Sequence, residues 1–250
     1  MREKRDGREL ARDQLALQAA LVSRVTKELS LDRRICALWQ EGSGGRGTAD
    51  SLSDIDLTII MAPGAKAWML ADRMELVSRF GAVSLHSDSP HNAPKDGAQT
   101  NALYDLQPLP IYIDWNWWPF LSERPSDVRV LFEQDPSQFV TGRDYVTVAN
   151  EWERGSALVP ARDRMALFAL AMAPIIAKMA LRSDESNARR MFGVIGEPAP
   201  ASMALAPVLD ALDALVDRLG HAQSPEAVAT VRRYLWTARR YGPSLGEFSA

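Results

Sequence analysis

Cysteine is almost absent from this chain: Cys36 stands alone among 250 residues. One thiol excludes internal disulfides and any cysteine-rich zinc site. Inside its apolar run, Cys36 reads as a small buried strand residue. A dominant charge is also missing. The 29 Lys and Arg against 32 Asp and Glu leave a net charge of −3, which argues against a bulk nucleic-acid binder. Long hydrophobic runs are missing too. The longest, residues 165–177, lies between Arg164 and Lys178 and is broken by Pro174, too short to span a bilayer. Residues 1–6 lack the apolar core of a secretory signal, so a cytoplasmic protein with no membrane partner is expected. No fixed-period repeat is present. A Gly-Lys-Ser/Thr phosphate loop is absent, as are the Val-Ala-Ile-Lys, His-Arg-Asp and Asp-Phe-Gly signatures of protein kinases.

What the chain does have is concentrated in residues 38–60, LWQEGSGGRGTADSLSDIDLTII. An apolar run ends in a turn rich in glycine: Gly42, Ser43, Gly44, Gly45, Arg46 and Gly47. A polar loop follows, and a second apolar run begins at Asp54. If residues 54–61 form a strand, Ile55 points into a core while Asp54 and Asp56 share the other face. Two carboxylates on one face of an apolar strand repel one another and resist desolvation. A divalent cation offsets both costs, and Mg²⁺ takes one or two carboxylates alongside water and phosphate oxygens. A third acid, Asp114, sits in another β-branched and aromatic run, residues 110–115. If that strand neighbours the first, three carboxylates converge in an arrangement able to hold two metals about 3.5–4 Å apart.

Gly42, Gly44 and Gly47 also match a dinucleotide-binding fingerprint. That motif opens directly into a crossover helix, whereas here a polar loop and another strand-like run follow. A plainer alternative is a flexible surface turn, with Asp54 and Asp56 facing solvent at a strand start.

The combination of Gly42-Ser43, Arg46-Gly47, Ser53-Asp54-Ile55-Asp56-Leu57 and a later Asp114 resembles the DNA polymerase β-type nucleotidyltransferase superfamily, in its antibiotic-modifying branch (streptomycin and kanamycin adenylyltransferases). The resemblance covers residues 38–60 and Asp114, a small part of the chain. It implies an α/β (α+β) architecture: a mixed-sheet nucleotidyltransferase domain over residues 1–155 and an all-α helical domain over 156–250. It also implies Mg²⁺ (two ions) at Asp54, Asp56 and Asp114, with ATP or another NTP as co-substrate and a small-molecule acceptor. The 42–47 amides and Ser43 would hold phosphate. Arg46 would pair with phosphate or brace the turn against an acid. Lys178 and Arg182, one helical turn apart, would reach the phosphates or simply form the polar end of a buried helix. Two other readings remain at this point: a protein-modifying nucleotidyltransferase of antitoxin type, and a non-catalytic nucleotide-binding protein.

Elsewhere, helical periodicity predicts helices over 7–29, 65–80 (Trp68, Met69, Val77 and Phe80 inward), 159–181, 184–192, 203–219 and 224–241. The last is predicted to stop at Gly242-Pro243. Strands are expected over 35–41, 54–61, 82–85, 101–106, 111–117 and 128–132, with a loop over 87–100. His86 and His91 read as exposed loop histidines. Trp115 and Trp117, opposite Asp114, read as core. Trp118 and Trp152 are candidates for stacking on a ring, with core packing the alternative. Asp105, Glu123, Glu151 and Glu153 are candidates for a general base or for attracting a cationic acceptor.

Overall fold

The computed structural model describes residues 6–89, 92–152 and 162–245. In chain order these form α1 (Gly7–Leu29), β1 (Ile35–Gln40), a one-turn α2 (Gly42–Gly45), β2 (Ile55–Met61), α3 (Lys66–Ser78), β3 (Val83–Asp88), β4 (Ala98–Tyr104), β5 (Ile111–Trp118), β6 (Glu123–Arg124), β7 (Arg129–Glu133), β8 (Val140–Thr141), α4 (Tyr145–Glu151), α5 (Arg162–Leu181), α6 (Glu185–Val194), α7 (Leu205–Leu219) and α8 (Pro225–Leu245). The fold is α+β, a mixed six-stranded sheet with helices filling the C-terminal part. Strand order is β3-β4-β5-β2-β1-β7. Every neighbouring pair is antiparallel except β2 and β5, which run parallel at the centre. No helix among the described residues is long and apolar enough to cross a membrane.

The two central strands alternate strictly. Ile55, Leu57, Ile59 and Met61 from β2, with Ile111, Ile113, Trp115 and Trp117 from β5, join α1 and α3 in one buried cluster. The opposite face is covered in two pieces. At one end, Leu85, Leu103 and Tyr112 pack into the core of α5–α8, joined by Leu10 and Ala11 of α1. At the other, Ala37, Trp39, Ile60 and Trp118 pack with Val148 of α4 and Phe139. Between these two apolar patches lies a polar gap.

Local chemistry explains the element ends. Asp6 caps α1, its carboxylate accepting from the amides of Arg8 and Glu9. Gln14 and Gln18 are buried on α1, yet neither is idle. Gln14 accepts from the Leu109 amide (3.0 Å) and Gln18 donates to the Ser53 carbonyl (2.9 Å), tying the helix to the segment that leads into β2.

Several expectations need correction. Trp68 points outward and is 69% exposed, whereas Met69, Val77 and Phe80 are buried as expected. The loop after β3 is shorter than the composition of 87–100 suggests. Asp88 pairs with Thr100 across the sheet and accepts its hydroxyl at 2.7 Å, so polar residues continue the strands by satisfying one another. The α8 helix does not stop at Gly242-Pro243 but runs to Leu245. A Cβ at Gly242 would meet Leu181 at 2.6 Å and Leu205 at 2.8 Å, so this glycine lets α8 lie close against α5 and α7. The helix α4 and the short β6/β8 ribbon had no sequence signal. The expected 155/156 boundary, the start of the 159–181 helix, His91 and Glu153 lie outside the described residues.

Candidate active site

Asp56 and Asp114 face one another. In the parallel register of β2 and β5, Asp56 is the direct partner of Asp114 and Thr58 that of Asn116. Every residue of these two strands is buried except Asp56 and Asp114 themselves. The acids are therefore the only breach in an otherwise dry sheet centre, and they open into the polar gap. That gap is an open cavity of about 270 Å³, also lined by Glu41, Asn116, Gln99 and Tyr145.

Burial, first, pushes both carboxyls well above the usual range. Asp56 is raised further by Asp54, and Asp114 by Asp56 and Asp54. The charges of Lys178 and Arg46 partly counter this at Asp56, and that of Lys178 at Asp114. Asp54 sits one residue before β2 and forms an ion pair with the Lys178 ammonium. Lys178 is itself only 7% exposed. One turn further along α5, Arg182 pairs with Asp50 and donates to the Ser53 hydroxyl at 3.2 Å. The two basic residues do cross from the helical part to the sheet, and in this structure they land on carboxylates.

The glycine turn lies directly over the acids. Gly42 has a φ of +61°, and a Cβ there would stand 2.2 Å from Asp56 Oδ2. Only glycine combines that conformation with that approach. The turn is a single helical turn rather than the plain bend expected between strands. The amides of Gly45, Arg46, Gly47 and Thr48 are bound to carbonyls within the turn and at its N-cap. Of the 42–47 amides, those of Gly42, Ser43 and Gly44 lie at the open N-terminal end, where helical amides lack intrahelical partners. Arg46 is exposed beside them.

One site residue escaped the sequence reading. Glu41, 6% exposed, accepts from Asn116 Nδ2 at 2.8 Å, from the Thr58 hydroxyl and from Tyr145. Its own amide donates to the Asp56 carbonyl at 3.1 Å. Burial raises its pKa to about 7, against the pull of the Thr58 hydrogen bond. Its donors come from β2, β5 and α4, so Glu41 joins the glycine turn to both acid-bearing strands. The sequence places Glu41 at the end of the expected 35–41 strand, and nothing local marks it as a site residue.

The other expected residues resolve differently. Trp115 and Trp117 are buried in the core, as expected. Trp118 is 2% exposed, and its ring centroid lies 5.1 Å from that of Tyr145 and 4.5 Å from that of Trp152. It is core, and the pair offers no free stacking platform there. Asp105 pairs with Arg233, while Glu123 and Glu151 share Arg143. None of these three lines the acid cavity. His86 is exposed, on β3 rather than in a loop, and Cys36 is half-buried on β1.

No family model matches the chain, and no curated protein matches it.

Proposed function

We propose that the chain is a Mg²⁺-dependent nucleotidyltransferase that transfers a nucleoside monophosphate, AMP from ATP in the first instance, to a hydroxyl of a small-molecule acceptor. One observation carries this reading: Asp56 and Asp114 are placed opposite each other as the only partly open positions of two buried strands, beneath a glycine turn that touches Asp56. The finer architecture that goes with it is a polymerase β-like nucleotidyltransferase sheet followed by a helical domain.

The donor set suits a divalent ion in kind. Two carboxylates held together out of water call for a cation, and one or two carboxylates plus phosphate oxygens make a usual Mg²⁺ shell. Among the described residues no three His, Cys, Asp or Glu side chains are arranged to hold a metal ion as they stand, and Asp54 is engaged by Lys178. Asp56 and Asp114 would hold the ion, with Asp54 joining once released. Bound there, Mg²⁺ neutralises triphosphate charge and lowers the pKa of an attacking hydroxyl. The amides of Gly42, Ser43 and Gly44 and the Ser43 hydroxyl bind the phosphates. Asp114 orients the acceptor oxygen for in-line attack on the α-phosphorus. The bond from that phosphorus to the bridging oxygen breaks, pyrophosphate leaves, and the hydroxyl proton passes to a cleft carboxylate. Trp118 and its neighbours keep water from the far end of the gap.

Incubation with α-labelled ATP, Mg²⁺ and a panel of aminoglycosides and lincosamides tests this. The expected result is a labelled drug in the wild type, with loss on the order of 10³-fold in Asp56→Asn, whose circular dichroism is unchanged. Label on a protein would move the acceptor to a polypeptide. No transfer to any acceptor, together with nucleotide binding that ignores Asp56→Asn, would end the reading.

A further inference from the structure

Lys178 poses an electrostatic question that the proposed reaction leaves open. Its ammonium is buried, and a buried cation without an anion is strongly unfavourable. In the structure Asp54 supplies the anion, and the same ammonium acts on Asp56 and Asp114 through its charge. Lys178 is thus the resident positive charge of the acid cluster. Its backbone is fixed, because Arg182 one turn on is tied to Asp50 and Ser53. The segment carrying Asp54 is fixed as well, through Gln18 on the Ser53 carbonyl at 2.9 Å. Beside the ion pair lies a cavity of about 10 Å³, lined in part by Gln18, Tyr112 and Tyr234. Any exchange of partners is therefore a movement of side chains between rigid supports.

We propose that Lys178 is a placeholder counter-ion: a divalent cation must displace it from Asp54, and the freed ammonium is then satisfied by the phosphate oxygens of the bound nucleotide. The proposal rests on the nucleotidyltransferase reading of the site. Its consequence is a coupling between ligands. A divalent ion arriving alone takes Asp54 and strands a buried ammonium, so it binds weakly. With a nucleotide present that penalty disappears, and the two ligands favour each other.

Two measurements on the full chain test this. The first is Mn²⁺ binding without nucleotide, followed by electron paramagnetic resonance of the free ion. Lys178→Met, which keeps the side-chain volume, should bind Mn²⁺ about tenfold tighter than the wild type. Arg232→Met removes the same charge from α8, where Arg232 pairs with Asp217, without touching Asp54 or its supports, and should change the affinity by less than about threefold. With Mn²⁺ saturating, α,β-methylene-ATP should bind Lys178→Met about tenfold more weakly than the wild type. The second needs no variant. The rate at which an amine-reactive reagent labels Lys178, read by peptide mass spectrometry, should rise several-fold with Mg²⁺ alone and fall again when the analogue is added. Equal Mn²⁺ affinity in Lys178→Met and the wild type, or labelling indifferent to Mg²⁺, overturns the exchange while leaving the enzyme reading intact. A wild type that binds neither ion nor analogue, singly or together, overturns both.

Discussion

The two faces of β5 can be compared residue by residue, because both belong to one strand. Toward α1 and α3 it presents Ile111, Ile113, Trp115 and Trp117, each 2% exposed or less. Toward the gap it presents Tyr112, Asp114, Asn116 and Trp118. The first face is chemically uniform and carries stability through apolar burial. The second alternates apolar ends with a polar middle, and that middle holds like charges together out of water. The difference teaches that the core face supports the strain of the site face. A sheet whose two sides were both arranged like the second would not offset the conformational entropy of folding.

Substitutions on each face sharpen that contrast. Trp115→Ala should give the largest effect, a loss of about 3–5 kcal/mol in denaturant unfolding; a loss below 1 kcal/mol would remove the core face from its supporting role. Next comes the pH dependence of Glu41. Burial lifts its carboxyl from 4.5 to about 7, so the folded state holds a proton that the unfolded state releases. Its contribution to stability is therefore full below pH 4.5, declines as pH rises to 7 and is flat above. Measured as the difference in unfolding free energy between wild type and Glu41→Gln across that window, the decline should be about 3 kcal/mol. A difference that rose with pH would reverse the assignment.

Asp114→Asn should sharpen the comparison in the opposite direction. Removing one of two facing carboxylates should raise stability at pH 8 by about 1–2 kcal/mol while abolishing transfer. The gain should shrink at pH 5, because Asp56, raised to about 7, is protonated there. Thermal melts at the two pH values check it, and a destabilised Asp114→Asn at pH 8 would mean that the pair is not repulsive. The smallest effect belongs to neither face. Arg79 and Glu75 form an exposed i,i+4 pair on α3, so Glu75→Gln should change unfolding by less than about 0.5 kcal/mol.

The sequence reading succeeded where the signal is local. The α1 helix follows from a long apolar period, and the buried face of β2 opposite Asp56 follows from strict alternation in an apolar strand. The meeting of Asp114 with Asp56 was a conditional expectation, and it holds because the parallel pairing of β2 and β5 sets their register; Asp54, one residue before β2 and paired with Lys178, does not line the cavity the other two share. What failed was non-local. Trp68 looks like core by composition, but its helix face turns to solvent. Glu41 draws its donors from three separate segments, so no window of sequence contains the reason for its burial. Gly242-Pro243 reads as a stop, yet the close approach of Leu181 and Leu205 makes it a seat. The destinations of Lys178 and Arg182 were open because a basic residue on a helix does not announce which anion it will meet.

The segment of residues 50–53 that feeds Asp54 is gripped from three sides: by Gln18 of α1, by Arg182 of α5, and by the Leu245 carbonyl of α8, which accepts from the Ser51 hydroxyl at 3.3 Å. Three remote helices thus act on a single tether. Gly242 governs how closely the last of them can lie, so a bulkier residue there would slacken the tether from nearly two hundred positions downstream of Asp54. Disturbance of Asp54 can therefore originate in the helical layer, at positions remote from it in sequence.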